Sequence, residues 1–150
     1  QVPYAPVSGG GKSETGFSEI YATLRDGIIE EVNALAQASA YTELFVTGHS
    51  LGAALATLAA PDLARATRFT SPVLYNFASP RSGDPVFAAL VDELPTSWRI
   101  ANTWDEVPKL PPAVAVVFVD GKSELFFYEH IDSEYSVTFG GPIRSVEDLE

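Results

Sequence analysis

Ser50 is the residue around which a reaction could be built. It lies in Gly48-His49-Ser50-Leu51-Gly52, a G-x-S-x-G pattern, between the apolar β-type run Leu44-Phe45-Val46-Thr47 and an Ala/Leu-rich run of helical composition. Strand, glycine-flanked serine and helix make the layout of a nucleophile elbow, a sharp turn that holds a hydroxyl clear of its sheet. Glycines suit such a turn because the backbone is strained and neighbouring segments must approach closely. The helix that follows aims free backbone N–H groups at any oxyanion forming beside the serine.

The chemistry this points to is acyl transfer. It needs a base for the hydroxyl proton, a carboxylate to orient that base, and donors for the oxyanion. With nucleophile first, acid next and histidine last, Asp105 has the right place, just past a predicted strand and downstream of Ser50. Glu106 competes with it, and spacing does not separate the two; Asp105 also reads as a turn-forming aspartate. His130, the only histidine after Asp105, could close a triad. It reads equally as a strand-end histidine bonded to a neighbour such as Glu134 or Tyr135. His49 is expected to be a packed, structural histidine, since neighbours on a tight turn point their side chains apart. No two histidines stand at metal-ligand spacing and cysteine is absent, so no metal site and no cofactor is expected.

These residues need elements to position them. Phe17, Ile20, Leu24, Ile28, Val32 and Leu35 recur at helical spacing, predicting an amphipathic helix over 17–37 that covers a sheet face, with Glu19, Arg25, Glu30 and Glu31 on its solvated side. After the elbow a helix should run to about Ala66, kinking or restarting at Pro61 with Asp62 in its first turn. Val73–Phe77 reads as a strand buried on both faces of a parallel sheet. Asp84-Pro85 reads as a helix N-cap followed by proline at the first helical position. Trp98–Asn102 and 113–119 are strand candidates, the second ending in the turn dipeptide Asp120-Gly121. Residues 125–130 and 134–139 look like two strands joined by a short turn, and Ser145 could open a helix. Residues 1–16 read as a loop or ragged end. Alternating strands and helices favour an α/β fold with a mainly parallel sheet and flanking helices in one domain spanning 1–150. Ligands of such sheets bind beyond the carboxyl ends of the strands, so Ser50, Ser79–Gly83 and Asp105 should share one rim.

Composition narrows the partners. A net charge of −11 and a pI near 4.4 argue against nucleic acid and anionic membranes, because the long-range field repels polyanions. No apolar run approaches the ~20 residues of a membrane span. The chain opens on Gln1 and contains no methionine, which suggests a processed chain or a piece of a longer reading frame.

Four ordered motifs resemble the class 3 lipase family, the fungal triacylglycerol lipases and related esterases. Thr15-Gly16-Phe17 with Tyr21 is similar to the family's H-x-G-F…Y helix start, and 46–56 to its V-T-G-H-S-L-G-G-A-L-A elbow. Asn76–Asp84 resembles T-F-G-S-P-R-V-G-N, and Asn102–Pro112 resembles V-N-x-x-D-I-V-P-x-L-P-P. The resemblance implies an α/β-hydrolase core, incomplete at both ends, and a serine hydrolase acting on acylglycerols or similar lipid esters. It implies Ser50 as nucleophile, Asp105 rather than Glu106 as acid, the Leu51 N–H as one oxyanion donor, and Ser79–Gly83 as a structural loop. It also implies that residues 128–134 match an F-x-H-x-G-x-E segment whose histidine is not the base, the catalytic histidine lying further downstream. On that reading the 150 residues alone are nearly inactive. Alternatives are a non-catalytic lipase-like scaffold, or a phospholipase or galactolipase. Ala53 and Ala78, where the family has glycine, are expected to tighten local packing.

Overall fold

The computed structural model describes residues 1–119, 122–131 and 134–138. A short antiparallel pair, β1 (Val2–Pro3) and β2 (Lys12–Ser13), precedes helix α1 (Thr15–Ala38). Then come β3 (Phe45–His49), α2 (Leu51–Ala66), β4 (Val73–Phe77), α3 (Pro85–Val91) and β5 (Ser97–Asn102). A 3₁₀ turn (Val107–Lys109), the strands β6 (Val114–Val119) and β7 (Lys122–Phe127), and β8 (Glu134–Val137) complete the order. β3, β4, β5 and β8 form one sheet in that spatial order, every pair parallel. No described helix is long and apolar enough to cross a membrane.

The sheet has one covered and one open face. Side chains alternate along a strand, and Leu74, Asn76, Arg99 and Ala101 are buried on the side where α2 packs. On the other side Phe45, Tyr75, Phe77 and Trp98 remain 37–59% exposed. β4 is therefore covered on one face among the described residues, not on both as its apolar run suggested. His49 falls on the open face and is exposed, not packed.

Helix α2 is the centre of the covered layer. Its Ala-rich sequence lets it approach the sheet closely, and Ala53, Ala54, Ala60 and Leu58 are at most 1% exposed. It runs through Pro61 without restarting, which places Asp62 inside a helix rather than in a first turn. Asp62 is 1% exposed and accepts hydrogen bonds from Tyr21 Oη (2.8 Å), Arg25 Nε (2.7 Å) and Arg25 Nη2 (2.9 Å). A buried carboxylate needs its charge and lone pairs met, and meeting them fixes the face that α1 presents. α1 packs chiefly on α2, not on the sheet, through Tyr21, Ile28, Val32 and Ala36. Ile20, Leu24 and Leu35, expected inside, are 40%, 46% and 56% exposed, and Arg25, expected in solvent, is an anchor.

The amino-terminal segment is tied down, not ragged. Tyr4 is 3% exposed, donates to the Leu58 carbonyl at 2.5 Å and meets the Phe87 ring edge-on with centroids 4.9 Å apart. The Asp84 cap forms as expected, its Oδ1 accepting from Phe87 N at 2.8 Å with Pro85 opening α3. β7 pairs antiparallel with β6, whereas β8 joins the main sheet beside β5, so the two are not partners. The Asp120-Gly121 turn and the helix start at Ser145 lie outside the described residues.

Gly27 sits inside α1 with no atom within 4 Å of where a Cβ would stand. Gly27→Ala should therefore stabilise the fold by about 0.5–1 kcal/mol through helix propensity alone. A rise in the urea midpoint at unchanged m-value would show it.

Candidate active site

The elbow is present in its strained form. Ser50 has φ 55° and ψ −122°, a left-handed φ that non-glycine residues seldom adopt. Its N–H donates to the Phe77 carbonyl at 3.0 Å, which ties the turn to the neighbouring strand. Its own carbonyl accepts from Ala53 N (3.0 Å) and Ala54 N (3.2 Å), opening α2. The Ser50 side chain makes no capping bond and is half-buried. The N–H of Leu51, first residue of the helix, belongs to the turn that has no intrahelical acceptors.

The two motif glycines have different reasons. A Cβ on Gly48 would overlap the Gly52 carbonyl group and come within 2.6 Å of Ala53 N, so strand and helix can cross there only without a side chain. A Cβ on Gly52 would meet nothing within 4 Å. Below the turn, Asn76 Nδ2 donates to Thr57 Oγ1 at 2.7 Å, and Thr57 Oγ1 to the Ala53 carbonyl at 2.8 Å, locking α2 to β4.

Asp105 lies on the same rim. His49, Phe77 and Ile100 are in register across β3, β4 and β5, so Ser50 and the chain after Asn102 leave the sheet at the same carboxyl end. Two strand spacings, roughly 10 Å, separate β3 from β5. Asp105 is half-buried; its Oδ1 accepts from Val107 N at 2.9 Å, and its other oxygen has no hydrogen bond among the described residues. The turn-forming role and a free carboxylate oxygen thus coexist. Glu106 is solvent-exposed and pairs with Lys109 at 2.6 Å.

The loop carrying Asp105 is clamped from below. Arg81 Nη1 donates to the carbonyls of Lys109 (2.7 Å) and Pro111 (2.8 Å), and Arg81 N to that of Leu110 (2.8 Å). This is what the Ser79–Gly83 loop contributes: buried Ser79 and Ser82 each donate to the Pro80 carbonyl, while the arginine side chain reads two carbonyls and its backbone N–H a third. Both side-chain bonds come from Nη1, whose two N–H groups serve one carbonyl each; a long cation inside a loop of small residues is the signal from which this clamp could have been read.

His130 lines a small cavity of about 130 Å³ together with Asp105, Arg81 and Asn102. Its Nε2 stands 2.6 Å from the Pro108 carbonyl oxygen. A carbonyl only accepts, so Nε2 carries a proton there. Among the described residues no hydrogen bond links it to Ser50, nor does one link it to Glu134 or Tyr135. Burial, then Arg99, lowers its pKa from the ordinary 6.5 to about 4, against the raising effect of the Pro108 bond; Arg81 lowers it further and Glu134 raises it. With a depressed folded pKa, the unfolded chain binds the proton first. The stability contributed by the neutral ring is thus present above about pH 6.5 and lost as the pH falls towards 4. For a half-buried ring the screened loss should be about 1–2 kcal/mol. His130→Gln should flatten the fall in thermal midpoint between those two pH values.

The family model for Lipase (class 3) matches residues 1–115. The chain belongs to the class 3 lipase family. The secreted mono- and diacylglycerol lipase A of Penicillium cyclopium is 39% identical over 126 residues, 84% of this chain and 37% of that protein. A solved triacylglycerol lipase whose catalytic centre is formed by a serine protease triad is 33% identical with a TM-score of 0.73, matching 90% of this chain and 48% of that one. The chloroplastic phospholipase A(1) DAD1 of Arabidopsis thaliana is 39% identical over 110 residues, 67% of this chain and 24% of that protein. The chain thus spans about a quarter to a half of the length of these class 3 lipase relatives. Its fold is the α/β-hydrolase core expected from the motifs.

One departure from the class 3 lipase pattern has a cost the sequence did not reveal. Ala78 stands where the family motif has glycine, and its φ is 52°. Buried as it is, Ala78 thus carries backbone strain in the left-handed region.

Proposed function

We propose that this chain carries the nucleophile and acid of a serine carboxylic-ester hydrolase acting on acylglycerols or similar apolar esters. The observation that carries it is the strained Ser50 turn on the same sheet rim as the half-free Asp105 carboxylate. Ser50 Oγ loses its proton to an imidazole and attacks the ester carbonyl. The oxyanion is met by the Leu51 N–H, the alcohol leaves with the proton, and water releases the acid from the acyl-serine. Asp105 orients the imidazole and balances its transient charge. His130 Nε2, committed to Pro108, is poorly placed for that exchange unless the ring repacks. The base is therefore assigned to a histidine of the longer protein, with these 150 residues part of one hydrolase domain.

Fluorophosphonate labelling of the intact protein tests this. A single adduct should map to Ser50 and be absent from Ser50→Ala, while the 150-residue piece alone should label slowly. Failure of the intact protein to label would favour a non-catalytic, lipase-like binding module. The similarity to a phospholipase A(1) gives a second substrate class; comparing phosphatidylcholine with diacylglycerol hydrolysis separates the two.

A further inference from the structure

The β6–β7 ribbon is the feature that this mechanism leaves unused. Its register pairs Val114 with Phe127, Val116 with Leu125 and Phe118 with Ser123, which brings five apolar side chains onto one face. They are 51%, 52%, 57%, 60% and 78% exposed, Phe118 the most. The two strands pack chiefly on each other. The match to the family model ends at residue 115, the second residue of β6. The ribbon nevertheless leaves the body beside the site. Its base is held by Tyr128 N on the Ala113 carbonyl (2.9 Å) and Glu129 N on the Gly83 carbonyl (3.0 Å), next to the clamped Asp105 loop. Trp104, 71% exposed, stands on that same loop.

From this geometry we propose that the ribbon face is a docking surface for aggregated, uncharged lipid, laying the Ser50 rim against an acylglycerol surface. The proposal rests on the ester-hydrolase reading for its purpose but not for its test. Charge and area choose the occupant. β6 carries no charged residue, and β7 carries one lysine and two-sided balance from one glutamate, Lys122 and Glu124. The chain as a whole is at −11, which opposes both an anionic surface and a second copy of itself. Five such side chains present about 500 Å² of apolar area, below the ~800 Å² per partner of a specific dimer. A lipid surface needs no shape complementarity and rewards exposed apolar area directly, with tryptophan favoured at its boundary.

Binding is measured by flotation of the intact protein, made inert by Ser50→Ala, with a triolein emulsion. Phe118→Ser and Leu125→Ser should each lower the partition coefficient about tenfold, and more together. In the protein with Ser50 intact, the same two changes should leave turnover of soluble p-nitrophenyl acetate within twofold. Partitioning unchanged within twofold would overturn the proposal. So would a matching loss of soluble-ester turnover and thermal midpoint, which would mean that the ribbon packs on the rest of the protein. Tighter binding to phosphatidylglycerol vesicles than to triolein, or a dimer abolished by either change, would also overturn it. If the intact protein turns over no ester at all, the hydrolase reading fails while the flotation result still decides the docking surface.

Discussion

Ser50→Ala in the intact protein is expected to lower kcat for ester hydrolysis by about 10⁶-fold, roughly 8 kcal/mol of barrier. The residual rate would come from binding and the oxyanion donors alone. Asp105→Asn should lower it by about 10⁴-fold, because an amide presents the wrong partner to the imidazole and no charge to balance it. Glu106→Gln should stay within twofold, since Glu106 is in solvent and paired with Lys109. The measurement is kcat/KM on a soluble ester, with circular dichroism to confirm that each variant folds. A large loss in Glu106→Gln beside a small one in Asp105→Asn would reverse the assignment of the acid.

Gly48→Ala is expected to destabilise the fold by at least ~3 kcal/mol, out of the ~5–15 kcal/mol typical of a domain. The added methyl would overlap the Gly52 carbonyl group and lie 2.6 Å from Ala53 N, and backbone atoms cannot rotate away as a side chain can. Gly52→Ala, with nothing within 4 Å, should be neutral to mildly stabilising, by about 0.5 kcal/mol. Urea unfolding of the two variants side by side reads the contrast. Similar losses in both would mean that helix propensity, not the strand–helix crossing, governs the motif.

Much of the chain was legible because its signals are local. The runs around β3, β4 and β5 carry β-type residues between turn residues, α2 opens where an Ala/Leu run begins, and Asp84-Pro85 caps α3 as written. The rotation of α1 was not legible. Ile20, Leu24 and Leu35 have helical spacing equal to that of the face actually used, and the choice is made by the Asp62 carboxylate, 37 residues beyond Arg25. His49 and the aromatic residues of β4 were misplaced for a related reason. Apolar composition says that a face can be buried, not that another element covers it. β7 and β8 follow one another in sequence, yet one pairs with β6 and the other with β5, because strand pairing is settled by partners and not by order.

The sequence alone determined the strained strand-to-helix turn at Ser50 and the parallel α/β plan, since each is written in spacing and in residues that only a few backbone geometries accept. Tertiary structure decided which carboxylate is half-free and which is in solvent. It also decided that Arg81 and His130 grip the loop below Asp105, that Gly48 and not Gly52 is sterically required, and that Ala78 carries strain. Those outcomes depend on atoms brought together from distant parts of the chain, where distance and burial, not residue type, set the energy.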